Sequence, residues 1–107
     1  MDLNEFQENL KNYENYPSGL GPYYLILGAQ SELGKLSEKL KVLLDASKDF
    51  DERDKRNLSI SIGDIMFYLL SIANSVGIKY EEIAAIELRK QSLIKEQKIK
   101  ENAKAGS

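Results

Sequence analysis

The chain contains no histidine and no cysteine. Without cysteine there are no disulfides, no thiol chemistry and no zinc sites built on thiolates. Without histidine the commonest general base and the commonest transition-metal ligand are gone. Any chemistry must come from carboxylates, lysine, arginine, tyrosine or hydroxyl groups. Tryptophan is absent too, and the only two prolines, Pro17 and Pro22, fall in one short stretch. No apolar run reads as long enough to span a membrane. The start, Met1-Asp2-Leu3-Asn4-Glu5, is polar and acidic, unlike a signal peptide. The expectation is a cytoplasmic protein without a membrane partner. A net charge of −2 over 107 residues gives no reason to expect nucleic-acid binding.

What is present is helical periodicity. A chain of 107 residues is one domain with a modest core, for which oligomerisation is a natural source of stability. The pattern predicts an all-α fold of four helices with no strand. The first covers about Asp2 to Tyr13, with Asp2 and Glu5 spaced as a capping box and Leu3, Phe6 and Leu10 on one face. Tyr16-Pro17-Ser18-Gly19-Leu20-Gly21-Pro22 breaks it. Pro22 suits the first turn of a second helix running to about Asp45. There Ala29, Leu33, Leu36, Leu40 and Leu43 recur at four-three spacing, which predicts a long buried stripe. Lys48 to Arg56 is a charged connection in which Asp49 or Asp51 can cap the next helix. In that third helix Leu58, Ile62, Ile65, Leu69, Ile72 and Val76 keep the four-three pattern throughout, and Gly77 ends it. A fourth helix begins near Tyr80 with Ile83, Ile86, Leu88, Leu93 and Ile94. From about residue 97 to residue 107 a charged tail is expected to fray. The short connection between the second and third helices favours a long antiparallel pair. The apolar surface on the third exceeds what one small chain covers, so a homodimer or a tetramer is expected.

Polar residues stand out on the central pair. Glu32 and Lys35 are three apart, as are Ser61 and Asp64, and residues at that spacing face one way. Taken alone, Glu32 and Asp64 read as solvated or salt-bridged acids at the edge of a core stripe. Gly34 and Gly63 sit inside strongly helical segments, where glycine costs about 1 kcal/mol relative to alanine. Tight helix packing, or the close approach of a ligand, accounts for such residues.

Several blocks together resemble a known family. They are Tyr16-Pro17, Tyr24-x-x-Leu27-Gly28-x-x-x-Glu32-x-Gly34, Leu36-x-Glu38-Lys39-Leu40-Lys41, Gly63-Asp64-Ile65-x-Phe67-Tyr68-Leu69, and Gly77-Ile78-x-Tyr80-Glu81-Glu82-Ile83 leading to Lys90. In order and spacing, from about Leu3 to Lys90, this resembles the MazG-like all-α nucleoside triphosphate pyrophosphohydrolases, especially the short single-domain forms of phages and bacteria. The resemblance implies magnesium-dependent hydrolysis of a nucleoside triphosphate to the monophosphate and pyrophosphate. In the family an E-x-x-E and an E-x-x-D motif hold the metal. Position by position, Glu32 matches the first acid and Asp64 the last, the implied catalytic and metal-binding residues. Lys35 and Ser61 stand at the second and third acid positions. Phe67 and Tyr68 match aromatic positions near the nucleotide, Glu87 stands where the family often has asparagine, and Lys90 matches a phosphate-contacting lysine.

The departures have physical content. Magnesium takes hard oxygen ligands in near-octahedral order, and an ammonium group cannot ligate it. Lys35 can instead pair with Glu32 or Asp64, or contact a phosphate as a point charge. Glu38 and Glu87 are possible substitute ligands, although Glu38 lies six residues from Glu32, well around the helix. Three functions follow: a pyrophosphohydrolase, a non-catalytic descendant binding a nucleotide or phosphorylated small molecule, and a helical structural or interaction protein.

Overall fold

A computed structural model describes residues 1–106. Among them are four α-helices and no strand: α1 (Leu3–Leu10), α2 (Gly21–Ala46), α3 (Glu52–Ser75) and α4 (Tyr80–Ala105). The helix ends follow from local chemistry. The Asp2 side chain accepts the Glu5 N–H at 2.8 Å and caps α1. Pro22 lies in the first turn of α2. Asp51, rather than Asp49, caps α3 in a reciprocal box: Asp54 N–H donates to Asp51 Oδ1 at 2.8 Å, and Asp51 N–H donates to Asp54 Oδ2 at 3.1 Å. Beyond α3, Gly77 takes φ +75°. Ile78 N–H then reaches back to the Ala73 carbonyl (2.9 Å) and Gly77 N–H to the Asn74 carbonyl (3.3 Å). This is the paired closure of a Schellman turn, in which glycine adopts the left-handed conformation without steric penalty.

α4 continues through the charged stretch from residue 97 and stays helical to Ala105. Lysine, glutamate, glutamine and alanine are all good helix formers, and Gln97 donates to Glu101 one turn on (3.3 Å). Residue 107, at the end of that tail, lies outside the described residues.

α2 and α3 form the principal helix contact, and α1 packs on both α3 and α4. Contacts pair the start of α2 with the end of α3 and the end of α2 with the start of α3. Gly21 lies against Ser75 and Gly28 against Tyr68, Lys39 bonds to Ser61, and Lys48 pairs with Asp54. At Gly28 a β-carbon would overlap the Tyr68 ring, so the absence of a side chain sets how closely the helices approach there.

A second junction ties α1 to the turn between α3 and α4. Gln7, buried at 5% exposure, donates from Nε2 to the Ile78 carbonyl (2.8 Å) and accepts the Tyr80 N–H at Oε1 (2.6 Å). Tyr80 opens α4, whose own N-cap, Lys79, supplies no side-chain bond. Gln7 therefore caps α4 from another helix. Asn74 adds bonds from Nδ2 to the Gln7 carbonyl (3.0 Å) and to the Glu14 carboxylate.

The hydrophobic stripes are only half buried. On α2, Ala29 is buried and Leu36 and Leu43 are half-buried, but Leu33 and Leu40 are exposed. On α3, Leu58, Ile65 and Ile72 are half-buried, while Ile62, Leu69 and Val76 are exposed. No residue of α4 is buried. The four-three pattern therefore consists of two seven-residue rows, and the chain covers one row on each helix. Gly34 and Gly63 do not serve packing within the chain, because a β-carbon at either would meet nothing within 4 Å.

α3 is long and apolar enough, by length and composition alone, to cross a membrane, with a mean hydropathy of 1.3 over its most apolar window. That corrects the expectation of no such segment. The four-three spacing of Ile and Leu raises hydropathy in any helix that packs on more than one side, and α3 packs on both α1 and α2.

Two outcomes follow. Gln7→Ala removes both bonds to the α3–α4 turn and leaves partly buried backbone groups unpaired, so chemical denaturation should show a loss of about 2–3 kcal/mol. The Asp51 carboxyl is held below its ordinary value of 3.8 by the Asp54 N–H, with the Lys48 ammonium adding to the effect. Because the folded value is the lower one, this contribution is complete above 3.8 and disappears as pH falls through the folded value. The stability gap between wild type and Asp51→Ala should accordingly stay constant near neutrality and narrow in acid.

Candidate functional site

The residues singled out by the motif lie along the α2–α3 seam. Glu32 is half-buried and Lys35 is exposed one turn later. Lys35 Nζ donates to Glu32 Oε1 at 3.2 Å, so the ammonium sits on the carboxylate itself. Ser61 is buried at 4% exposure and faces α2. Its Oγ accepts a hydrogen bond at 2.9 Å from the Nζ of Lys39. Asp64 is exposed and forms no hydrogen bond or ion pair among the described residues.

Lys39 is the residue that sequence reasoning missed. It follows Glu32 by seven positions, a spacing that shares a helix face, but it is embedded in the charged run Glu38-Lys39-Leu40-Lys41, which reads as solvated surface. In the fold it has no carboxylate partner among the described residues, only the neutral Ser61 hydroxyl. It also borders a cavity of about 240 Å³ walled by Val42, Leu43, Asn57 and Leu58. Asp54, at the far side of that cavity, is already engaged by Lys48 (3.7 Å) and the Asp51 N–H.

Phe67 and Tyr68 meet edge to face with ring centres 5.3 Å apart, and the Tyr68 ring lies over Gly28. One turn on, Ser71 is fully buried and its hydroxyl has no partner. Glu87 and Lys90 on α4 are brought to each other (3.9 Å), and Glu87 also accepts from Gln91 (3.2 Å). Neither forms a hydrogen bond or ion pair with the α2–α3 group among the described residues.

The donor set does not fit magnesium. Two of the four motif positions offer carboxylates, and one of these already carries an ammonium group. A second ammonium is bonded to the third position. No group of three or more acidic side chains gathers closely enough to hold a metal ion among the described residues. Hard-cation sites need several oxygen ligands, and nearby positive charge opposes them. The arrangement offers two ammonium donors and a buried hydroxyl beside the carboxylates of Glu32 and Asp64.

No family model, curated protein or solved structure matches the chain. The resemblance to MazG-like enzymes therefore rests on the order and spacing of its sequence blocks alone.

Two outcomes are expected here. Calorimetric titration with magnesium alone should give no binding below millimolar concentration, and Lys35→Glu with Ser61→Glu should create it by restoring both the charge and the ligand count. Ser71→Ala removes an unpartnered buried hydroxyl, so thermal denaturation should show stability unchanged or raised by about 1 kcal/mol.

Proposed function

We propose that this chain is a MazG-like helical protein, built on an antiparallel α2–α3 pair and working in the cytoplasm. On this reading it binds a nucleotide or phosphorylated small molecule at the α2–α3 seam, and turnover is lost or very slow. The observation that carries the proposal is a lysine ammonium at each altered position: Lys35 stands at the second acid position, on Glu32, and Lys39 bonds to Ser61 at the third. Hydrolysis of a triphosphate between its first and second phosphates calls for a metal that offsets phosphate charge and activates water. Ammonium groups can attract phosphate oxygens as point charges but do not generate a hydroxide nucleophile. Phosphate attraction thus outlasts water activation. Tyr68 or Phe67 offers an aromatic face to a base, and Lys90 is a further candidate for phosphate contact.

The family activity itself, magnesium-dependent pyrophosphohydrolysis, is the second reading, supported by the retention of Glu32 and Asp64 at the first and last acid positions. One experiment separates the readings. The purified protein is incubated with a panel of nucleoside triphosphates, with and without magnesium. Pyrophosphate release is assayed, and nucleotide affinity is measured by calorimetry. The expected result is no release above background and measurable affinity that falls at least tenfold in Lys39→Met or Lys35→Glu. Brisk magnesium-dependent release, abolished by Glu32→Gln or Asp64→Asn, favours the enzyme. Absence of both release and affinity favours a helical scaffold or interaction protein.

A further inference from the structure

Lys39 carries a charge that the fold positions without neutralising. Its Nζ donates to the Ser61 Oγ at 2.9 Å, and Ser61 is buried, so the ammonium is anchored to the seam. The hydroxyl brings no negative charge, and it takes one of the three hydrogens that an ammonium can donate. Two remain, and Lys39 has no carboxylate partner among the described residues. Three other lysines of the central pair each rest on an acid: Lys35 on Glu32, Lys48 on Asp51 and Asp54, and Lys55 on Glu52.

Lys39 also borders the cavity of about 240 Å³ between the C-terminal half of α2 and the start of α3. Val42, Leu43 and Leu58 give it an aliphatic wall, and no aromatic ring lines it. Asn57 adds a side-chain amide that has no hydrogen-bond partner among the described residues. The one acid on the wall, Asp54, pairs with Lys48 (3.7 Å) and accepts the Asp51 N–H (3.1 Å), so its charge is offset where it stands.

These features select a ligand by its chemistry. The remaining N–H donors call for a head group that only accepts, as an ionised carboxylate does. One ammonium matches one negative charge, and apolar walls beside an ion pair strengthen it relative to water. The wall calls for an aliphatic body, because a heterocycle would bring polar ring atoms that Val42, Leu43 and Leu58 cannot bond. At about 30 Å³ for each water-sized unit, 240 Å³ holds roughly eight non-hydrogen atoms. That is the size of hexanoate and too small for a nucleoside.

We propose that this cavity binds a short aliphatic monocarboxylate, with its head group on Lys39 and Asn57 and its chain against Val42, Leu43 and Leu58. The site shares Lys39 with the nucleotide reading, but it rests on the cavity and not on the motif positions.

The test is methyl NMR of the full chain, titrated separately with sodium butanoate, hexanoate and octanoate, with hexan-1-ol, and with adenosine triphosphate. Hexanoate should shift the Val42, Leu43 and Leu58 methyl resonances saturably, with a Kd of about 1 mM, and leave Leu93 and Ile99 of α4 unmoved. Butanoate should bind about tenfold more weakly, at roughly threefold to fourfold per methylene. Octanoate outgrows the cavity and should gain no more than about twofold. Hexan-1-ol should bind about tenfold more weakly than hexanoate, and so should hexanoate to Lys39→Met, whereas Lys39→Arg retains binding. Val42→Asp, which alters only the wall, should abolish saturation, and the methyl spectra report whether each variant is folded. Absence of a saturable shift at these methyls overturns the inference. So does equal binding of hexanoate and hexan-1-ol, or hexanoate binding unchanged in both folded variants, Lys39→Met and Val42→Asp. Triphosphate binding without hexanoate binding overturns this inference alone. Hexanoate binding without triphosphate binding overturns the nucleotide reading alone.

Discussion

Everything in this fold that bears on function depends on how closely α2 and α3 approach. Gly28 sets that distance, because the Tyr68 ring occupies the space where a side chain would stand. The same approach brings a lysine on α2 within hydrogen-bond reach of a buried serine on α3. Helices held further apart by a larger side chain at position 28 would leave Ser61 without its Lys39 partner. The seam is thus both a packing feature and the frame for the polar group, a coupling common where ligand sites are built between helices of a bundle.

The polar residues of the seam make physical sense as a set. Glu32 is half-buried and Ser61 buried, so each calls for a partner. Here each receives an ammonium, Glu32 from its own helix one turn away and Ser61 from a residue two turns beyond Glu32. The two ammonium groups thus lie beside the one half-buried acid and the one buried hydroxyl of the seam.

Helix positions were largely legible in the sequence, because caps and breakers are local: Asp2, Pro22, Asp51 and Gly77 each act within a few residues of themselves. The extent of α4 was less so, since a run of lysine and glutamate reads equally well as tail or as exposed helix. The four-three pattern located the apolar surface correctly but could not say which of its two rows is covered within the chain. Leu33 and Leu36 look alike in sequence, and only the rotation of α2 against α3 separates them. Of the site, the spacing left Lys35 to Glu32, to Asp64 or to a phosphate, and the fold pairs it with Glu32. The role of Lys39 did not, because its partner is 22 residues away and carries no charge. Gln7 was equally silent, an ordinary polar residue whose partners lie beyond two intervening helices.

That Gln7 junction also shapes how the molecule breathes. Its bonds span 71 and 73 residues, whereas most of the remaining hydrogen bonds close within a helical turn. Segments held by a few long-range bonds open below the free energy of global unfolding and do so as units. α1 and the first turn of α4 share the same few bonds, so losing one frees the other. Their amides should exchange together, ahead of those along the α2–α3 seam, although 71 to 73 residues separate the bonded groups in sequence.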